Sequence, residues 1–391
     1  MTLRTSAMTV ALLLTPLAGA AQPAQPTLPT QAALDAEVAR QMKDTGARGL
    51  AIAVIDDGQV VMVRTYGARN AAGQPLQPDT IMYGASLTKA VFAWTVMQMA
   101  EEGVLDLDAP ISRYLAKPLP EYAGFADAYA PFETLAGDER WRRLKPRMLL
   151  THSGGFANFY WLNPDEKLTI HFDPGSRYAY SGDGLILLQF VLEKGLGLDL
   201  GKEMQRRVFD RFGMSRSSMI WRPDFAGNLA DGWDAEGNTE PHDERSRVRA
   251  AGSLDTTIDD FARFAAAYVR GEGISPASRA ELVRPGLPIT TASQFPTLLP
   301  ELPPEKRRAD LAAGLGVVVF EGPQGPAFYK GGHNDVTGNT WVCIERGRRC
   351  VVILANDVQA ERAFPALVRF VLGETGAPWS WEYGWAAGSA P

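Results

Sequence analysis

Strand-forming sequence is concentrated at the two ends of this chain, and that distribution limits the fold more than any other feature. Near the start, "GLAIAVIDDGQVVMVRTYG" reads as two strands joined at Asp57-Gly58, after "QAALDAEVARQMKD", an amphipathic helix. Near the other end come "AAGLGVVVFEG", "PAFYKGGH", "GNTWVCIE" and "RRCVVILAND", followed by the helical "AERAFPALVRFVLGE". Strands this far apart pair only if both ends meet in one sheet. The expectation is an α/β fold: an antiparallel sheet formed by both chain ends and flanked by helices, with a large, mainly helical subdomain inserted. The α/β part is expected at about 30–80 and 305–375 and the insertion at about 81–304, within a single domain over 21–391.

The 391 residues give ample surface to bury, and a net charge of -6 supplies no general attraction for nucleic acid. The opening "MTLRTSAMTVALLLTPLAGAAQ" has one early arginine, an apolar segment at residues 8–14 and then Ala18-Gly19-Ala20. This is the pattern of a secretory signal peptide over residues 1–20, so export to a bacterial periplasm or secretion is expected. The apolar segment is far shorter than the ~20 residues of a spanning helix, so no membrane span is expected after cleavage. If Arg346-Gly347 turns a hairpin, Cys343 and Cys350 fall opposite one another, as a disulfide or as two packed thiols. The Pro-rich run at 284–308 is a long connection, either a cleft rim or a surface linker.

Four histidines without paired spacing give poor support for a metal site, no cofactor is indicated, and no G-x-S-x-G elbow occurs. One pair stands out. In "YGASLTKAVFAWTVMQMAEEG", Ser86 and Lys89 are three apart at the mouth of a run with no charge between Lys89 and Glu101. On a helix such residues share a face, and a buried lysine that loses its proton is a base beside a nucleophile. A helix-capping serine with a snorkelling lysine is the structural alternative. Tyr180 in "PGSRYAYSGDGLILLQFVLE" precedes another apolar helix, and Lys330 in "FYKGGHNDVTGN" ends a strand before two glycines. Beside lysines, a phenol pKa can be lowered toward use as a base. A core tyrosine and an edge-strand lysine are the alternatives.

In order and spacing these segments resemble the serine β-lactamase and penicillin-binding protein superfamily, most closely the class C β-lactamase-related esterases and D-peptidases. The resemblance runs through "SLTK", "MLLTHSGGFANF", "YSGDG", "AAGSLDTTIDDFARF" and Lys330-Gly331-Gly332. It implies Ser86 as nucleophile, Lys89 as its base, Tyr180 as base or proton shuttle and Lys330 as electrostatic support. The backbone N–H groups of Ser86 and His333 would form the oxyanion hole. Gly182 and Gly331 stand where that family carries asparagine and threonine, the contacts to a substrate's amide and terminal carboxylate. Asp183 could replace part of the first contact; Gly331 and Gly332 would line the substrate groove. The expected function is therefore an exported serine hydrolase that passes through an acyl-enzyme on a small-molecule ester or amide. The alternatives are a β-lactamase or D-alanyl-D-alanine carboxypeptidase acting on β-lactams or wall peptides and, third, a catalytically silent binding module. Nothing in the sequence sets an oligomeric state.

Overall fold

The computed structural model describes residues 25–385, so the leader segment lies outside the described residues. Helix α1 (Gln31–Thr45) is capped by the Thr30 side chain and by Gly46 in the left-handed region at φ 79°, and it buries Leu34 and Val38. Strands β1 (Gly49–Asp56) and β2 (Gln59–Gly67) follow as a hairpin. Then come β3 (Met82–Ala85), α2 (Thr88–Glu101), α3 (Pro146–Leu150), α4 (Gly182–Phe190) and α5 (Leu200–Met204). The short strands β4 (Gly232–Trp233), β5 (Thr239–Glu240) and β6 (Leu254–Thr256) precede α6 (Ile258–Arg270), α7 (Pro276–Leu282) and β7 (Leu287–Pro288). The chain finishes with β8 (Leu311–Ala313), β9 (Val318–Gly322), β10 (Gly325–His333), β11 (Gly338–Ile344), β12 (Arg349–Ala355), α8 (Phe364–Leu372) and α9 (Trp379–Tyr383).

The two ends do share one sheet. Eight strands lie in the order β2-β1-β12-β11-β10-β9-β8-β7. The pairings within it are antiparallel, and β1 joins β12 with Ile52 opposite Ile353. Helices α1 and α8 cover one face, where Leu34, Val38, Leu367 and Val371 pack on Leu50, Ile52 and Val351. Helix α6 packs on the other face, its Phe261 and Phe264 against Trp341. The β11–β12 turn takes four residues, 345–348, rather than the expected two. Because it is centred on the same Arg346-Gly347 bond, Cys343 still pairs with Cys350, and the two form a disulfide.

Helix α2 is buried from Thr88 to Met99, as expected of a helix apolar on all sides. It joins the inserted helices to the sheet and carries the candidate nucleophile at its entry.

Candidate active site

Strand β3 delivers Ser86. It pairs with β6, Met82 opposite Thr256, and Asn339 on β11 donates from Nδ2 to the Tyr83 carbonyl (3.0 Å), tying the small sheet to the large one. Ala85 then takes a left-handed φ of 46°, a conformation that costs a residue with a Cβ about 1 kcal/mol or more. The turn is held by Thr88, whose hydroxyl donates to the Ala85 carbonyl (2.6 Å) and accepts from the Leu254 N–H (3.1 Å). Ser86 therefore stands on a fixed turn just before the helix, not within its first turn as the spacing suggested.

Lys89, on the first turn of α2, is 1% exposed. Its Nζ lies 2.9 Å from Ser86 Oγ and 2.5 Å from the Ala251 carbonyl. Burial, with a smaller push from the charge of Lys330, holds the amine well below the usual lysine range. A neutral Lys89 can donate to Ala251 while its lone pair faces the serine proton.

The Tyr180 hydroxyl donates to Ser86 Oγ at 2.8 Å, and the Lys89 and Lys330 ammonium positions lie 4.9 and 5.3 Å from its ring centroid. The expected lowering of its phenol pKa is reversed: burial raises it, and the bond to Ser86 opposes that only in part. The lysines lie against the ring, while desolvation acts on the phenolate itself. Tyr180 is thus a neutral hydroxyl donor beside an amine that burial pushes toward its neutral form.

Lys330 lies within β10, which continues through Gly331 and Gly332 to His333 instead of ending at the lysine. Its Nζ donates to the Gly331 carbonyl (2.9 Å), and burial lowers it to about 8 against the opposing charge of Glu382. At Gly332, β10 passes the turn that carries Ser86. A Cβ there would stand 2.8 Å from the Gly84 carbonyl oxygen, 2.9 Å from Leu87 N and 3.1 Å from Ser86 N, so only glycine allows the approach. His333 follows immediately. Burial draws its imidazole down, but the Glu361 carboxylate 3.0 Å from Nδ1 outweighs this and raises it.

Asp183 does not stand with the other candidates. Asp183 is 1% exposed and absent from the cleft wall; burial raises its carboxyl pKa to about 8, with the Tyr160 backbone N–H and the charge of Arg249 opposing only in part. The cause is local: the Gly182 and Asp183 N–H groups both donate to the Asn158 carbonyl (2.8 and 2.9 Å), which turns the Asp183 side chain inward. The Phe159 ring fills the space that a Cβ on Gly182 would need. Asn158 itself lines the cleft, its Oδ1 accepting from the Gly182 N–H at 3.0 Å, so an amide stands beside the position that lacks one.

Two further residues escaped the sequence reading. His152, buried with φ 54°, packs against Tyr180 with ring centroids 4.5 Å apart and planes tilted by 32°, and its Nδ1 accepts from the Ser181 N–H at 3.1 Å. Burial, followed by the charges of Lys89 and Lys330, holds it well below the usual histidine range. Glu382, on α9, is 4% exposed and lines the cleft opposite Gly331. Burial raises its carboxyl, with the charges of His333 and Lys330 opposing. His152 lies in the quoted "MLLTHSGGFANF", but no local pattern ties it to Tyr180, and none ties Glu382 to Gly331.

Ser86, Lys89, Tyr180, Gly331, Gly332, His333 and Glu382 line one cleft of about 1190 Å³ between the sheet and the inserted helices, whereas Lys330 and His152 are buried and are not part of its wall. Gln294 and Phe295 of the Pro-rich connection form part of its wall, so that run is a cleft rim. The described residues contain no group of three or more His, Cys, Asp and Glu able to hold a metal, and no described helix is long and apolar enough to cross a membrane.

The chain is 30% identical over 219 residues to a lovastatin esterase of Penicillium rubens, which covers 48% of this chain and 53% of that protein. It is 26% identical over 295 residues to the D-alanyl-D-alanine-carboxypeptidase/endopeptidase AmpH of Escherichia coli, covering 72% of this chain and 71% of that one. The chain thus spans about half the length of the esterase it matches. Among solved structures, the octameric penicillin-binding protein homologue from Pyrococcus abyssi superposes with a TM-score of 0.68 at 21% identity, over 88% of this chain and 77% of that one, and so shares the fold. The family model described as Beta-lactamase matches residues 34–373, most of the chain, and on that match the protein belongs to the β-lactamase family.

Proposed function

We propose that this protein is an exported serine hydrolase that cleaves an ester, or a small amide, through an acyl-enzyme on Ser86. The observation that carries the reading is the environment of Ser86 Oγ, which has Lys89 Nζ at 2.9 Å and the Tyr180 hydroxyl at 2.8 Å. As Oγ attacks the carbonyl carbon, its proton passes to the neutral Lys89, and the N–H groups of Ser86 and His333 receive the developing oxyanion. Collapse expels the leaving alcohol, which takes a proton from Lys89 directly or through Tyr180. Water then attacks the acyl-enzyme with the same groups acting in reverse, giving the acid and restoring Ser86. Lys330 supports both oxyanions by its charge.

Two observations favour an ester over a carboxylate-bearing wall peptide or β-lactam: glycine at 331, and the similarity to the lovastatin esterase. The similarity to AmpH supports the alternative of a β-lactamase or D-alanyl-D-alanine carboxypeptidase. A silent binding module has no physical need for a neutral lysine held against a serine hydroxyl. Export rests on the leader-like residues 1–20.

Intact-protein mass spectrometry tests the reading after exposure to a fluorophosphonate, a p-nitrophenyl ester and a penicillin, with Ser86→Ala as control. An adduct from the fluorophosphonate, ester turnover and neither in Ser86→Ala are expected. Persistent penicilloylation would move the assignment to the wall-peptide alternative, and no adduct from any reagent would leave the silent module.

A further inference from the structure

Position 331 is not merely lacking a side chain; its space is occupied. A Cβ on Gly331 would fall well inside van der Waals contact of Glu382 Oε1 and of the Tyr329 hydroxyl. Glu382 arrives from the last described helix and is anchored there. Its Oε2 accepts from Gln294 Nε2 (2.7 Å), Gln294 Oε1 accepts from the Tyr178 hydroxyl (3.0 Å), and the Gln294 N–H holds the Trp381 carbonyl (2.8 Å). A buried carboxylate therefore forms the cleft wall where the family's threonine would be. Four further carboxylates, Asp234, Glu236, Glu240 and Asp335, line the cleft, against the basic side chains of Lys89, Arg249 and His333. The aromatic face of Phe295 stands in the same wall, 5.8 Å from the His333 ring.

We propose that Glu382 is the charge selector of this cleft, barring substrates that carry a carboxylate near the scissile bond and favouring uncharged substrates and, above them, those that carry an ammonium group. The inference deepens the hydrolase reading and rests on it. An anion brought against Glu382 loses its water and gains a like charge, whereas an ammonium gains an opposite charge and an aromatic face. Because the carboxylate belongs to a helix fixed by Gln294, it cannot swing aside without breaking that buried bond.

The test compares three butyrate esters of similar shape: of choline, of 3,3-dimethylbutanol and of 4-hydroxybutanoate. A second set carries the same three groups on the acyl side. In at least one set the wild-type kcat/KM should favour the cation over the anion by about tenfold or more, with the neutral ester between. Glu382→Gln, which keeps the shape and an acceptor for Gln294, should shrink that ratio severalfold. A ratio near one or favouring the anion in both sets overturns the proposal, as does an unchanged ratio in folded Glu382→Gln; the wild-type ratio stands if that variant does not fold. If the wild type cleaves none of the esters, the hydrolase reading fails by itself. Calorimetric binding of the same esters to Ser86→Ala then decides the selector: tighter binding of the cation upholds it, and equal or tighter binding of the anion overturns it.

Discussion

Lys89 Nζ stands 2.9 Å from Ser86 Oγ in a site where burial favours the neutral amine. The lysine is thereby a ready base, and its near neighbour Lys330 adds to the effect by repelling a second positive charge. Lys89→Arg retains a positive group of similar reach but cannot give up its proton at working pH. The expected outcome is a fall in ester kcat/KM of about a thousandfold or more, with near-wild-type circular dichroism. Retention of more than a tenth of the activity would remove Lys89 from the role of base.

Lys330 sets an alkaline limit. Its ammonium loses a proton as pH rises through about 8, so turnover that depends on its charge should fall above that pH. Lys330→Met should remove this limb and lower neutral-ester kcat/KM at pH 7 by about 2–4 kcal/mol in transition-state stabilisation. Stability moves the other way. The folded lysine binds its proton less tightly than the usual 10.5, so between about 8 and 10.5 the unfolded chain holds more protons and this group's contribution to stability rises with pH. Kinetic pH profiles and thermal melts across that range check both signs.

Position 183 depends on contacts that local sequence patterns do not encode. Sheet, insertion and the order Ser86, Lys89, Tyr180, Lys330 were legible because apolar periodicity and short spacings are local properties of the chain. What Asp183 faces depends on the Asn158 carbonyl, 25 residues upstream, which pins the helix entry and turns the carboxyl away from the cleft. The phenol of Tyr180 was misread for a similar reason: proximity to lysines can be inferred from a motif, but the extent of burial cannot. Glu382 lies 51 positions beyond Gly331, and only the packed C-terminal helix brings its carboxylate there.

His152 is expected to position Tyr180. Its Nδ1 accepts from the buried Ser181 N–H while its ring faces the Tyr180 ring. His152→Leu fills much of the volume but leaves that N–H without its acceptor, at a cost of about 1–3 kcal/mol. The melting temperature should fall, and kcat should fall by more than KM rises, because the displaced hydroxyl serves the reacting serine rather than substrate binding. His152→Asn, which can offer an acceptor and tolerates a left-handed φ, should recover part of kcat. Equal loss of kcat in both variants would mean that the hydrogen bond to Ser181 is not what holds Tyr180.

Gly331→Thr would restore the hydroxyl that the related enzymes carry, and a sequence-level argument expects better handling of a carboxylate-bearing β-lactam. The structure reverses that expectation, because the new Cβ meets the Tyr329 hydroxyl and the Glu382 carboxylate before the hydroxyl reaches any substrate. Overpacking of this kind costs about 1–3 kcal/mol, so even Gly331→Ala should lower the denaturation midpoint. The two obstacles separate by measurement. In a Glu382→Ala background one of them is gone, and Gly331→Ala should then cost less by about 1 kcal/mol; the remaining penalty belongs to Tyr329. A double-mutant cycle by chemical denaturation reads the difference. Strict additivity would show that the carboxylate does not occupy the space beside Gly331, and with it would go the physical basis for an anionic wall at this point of the cleft.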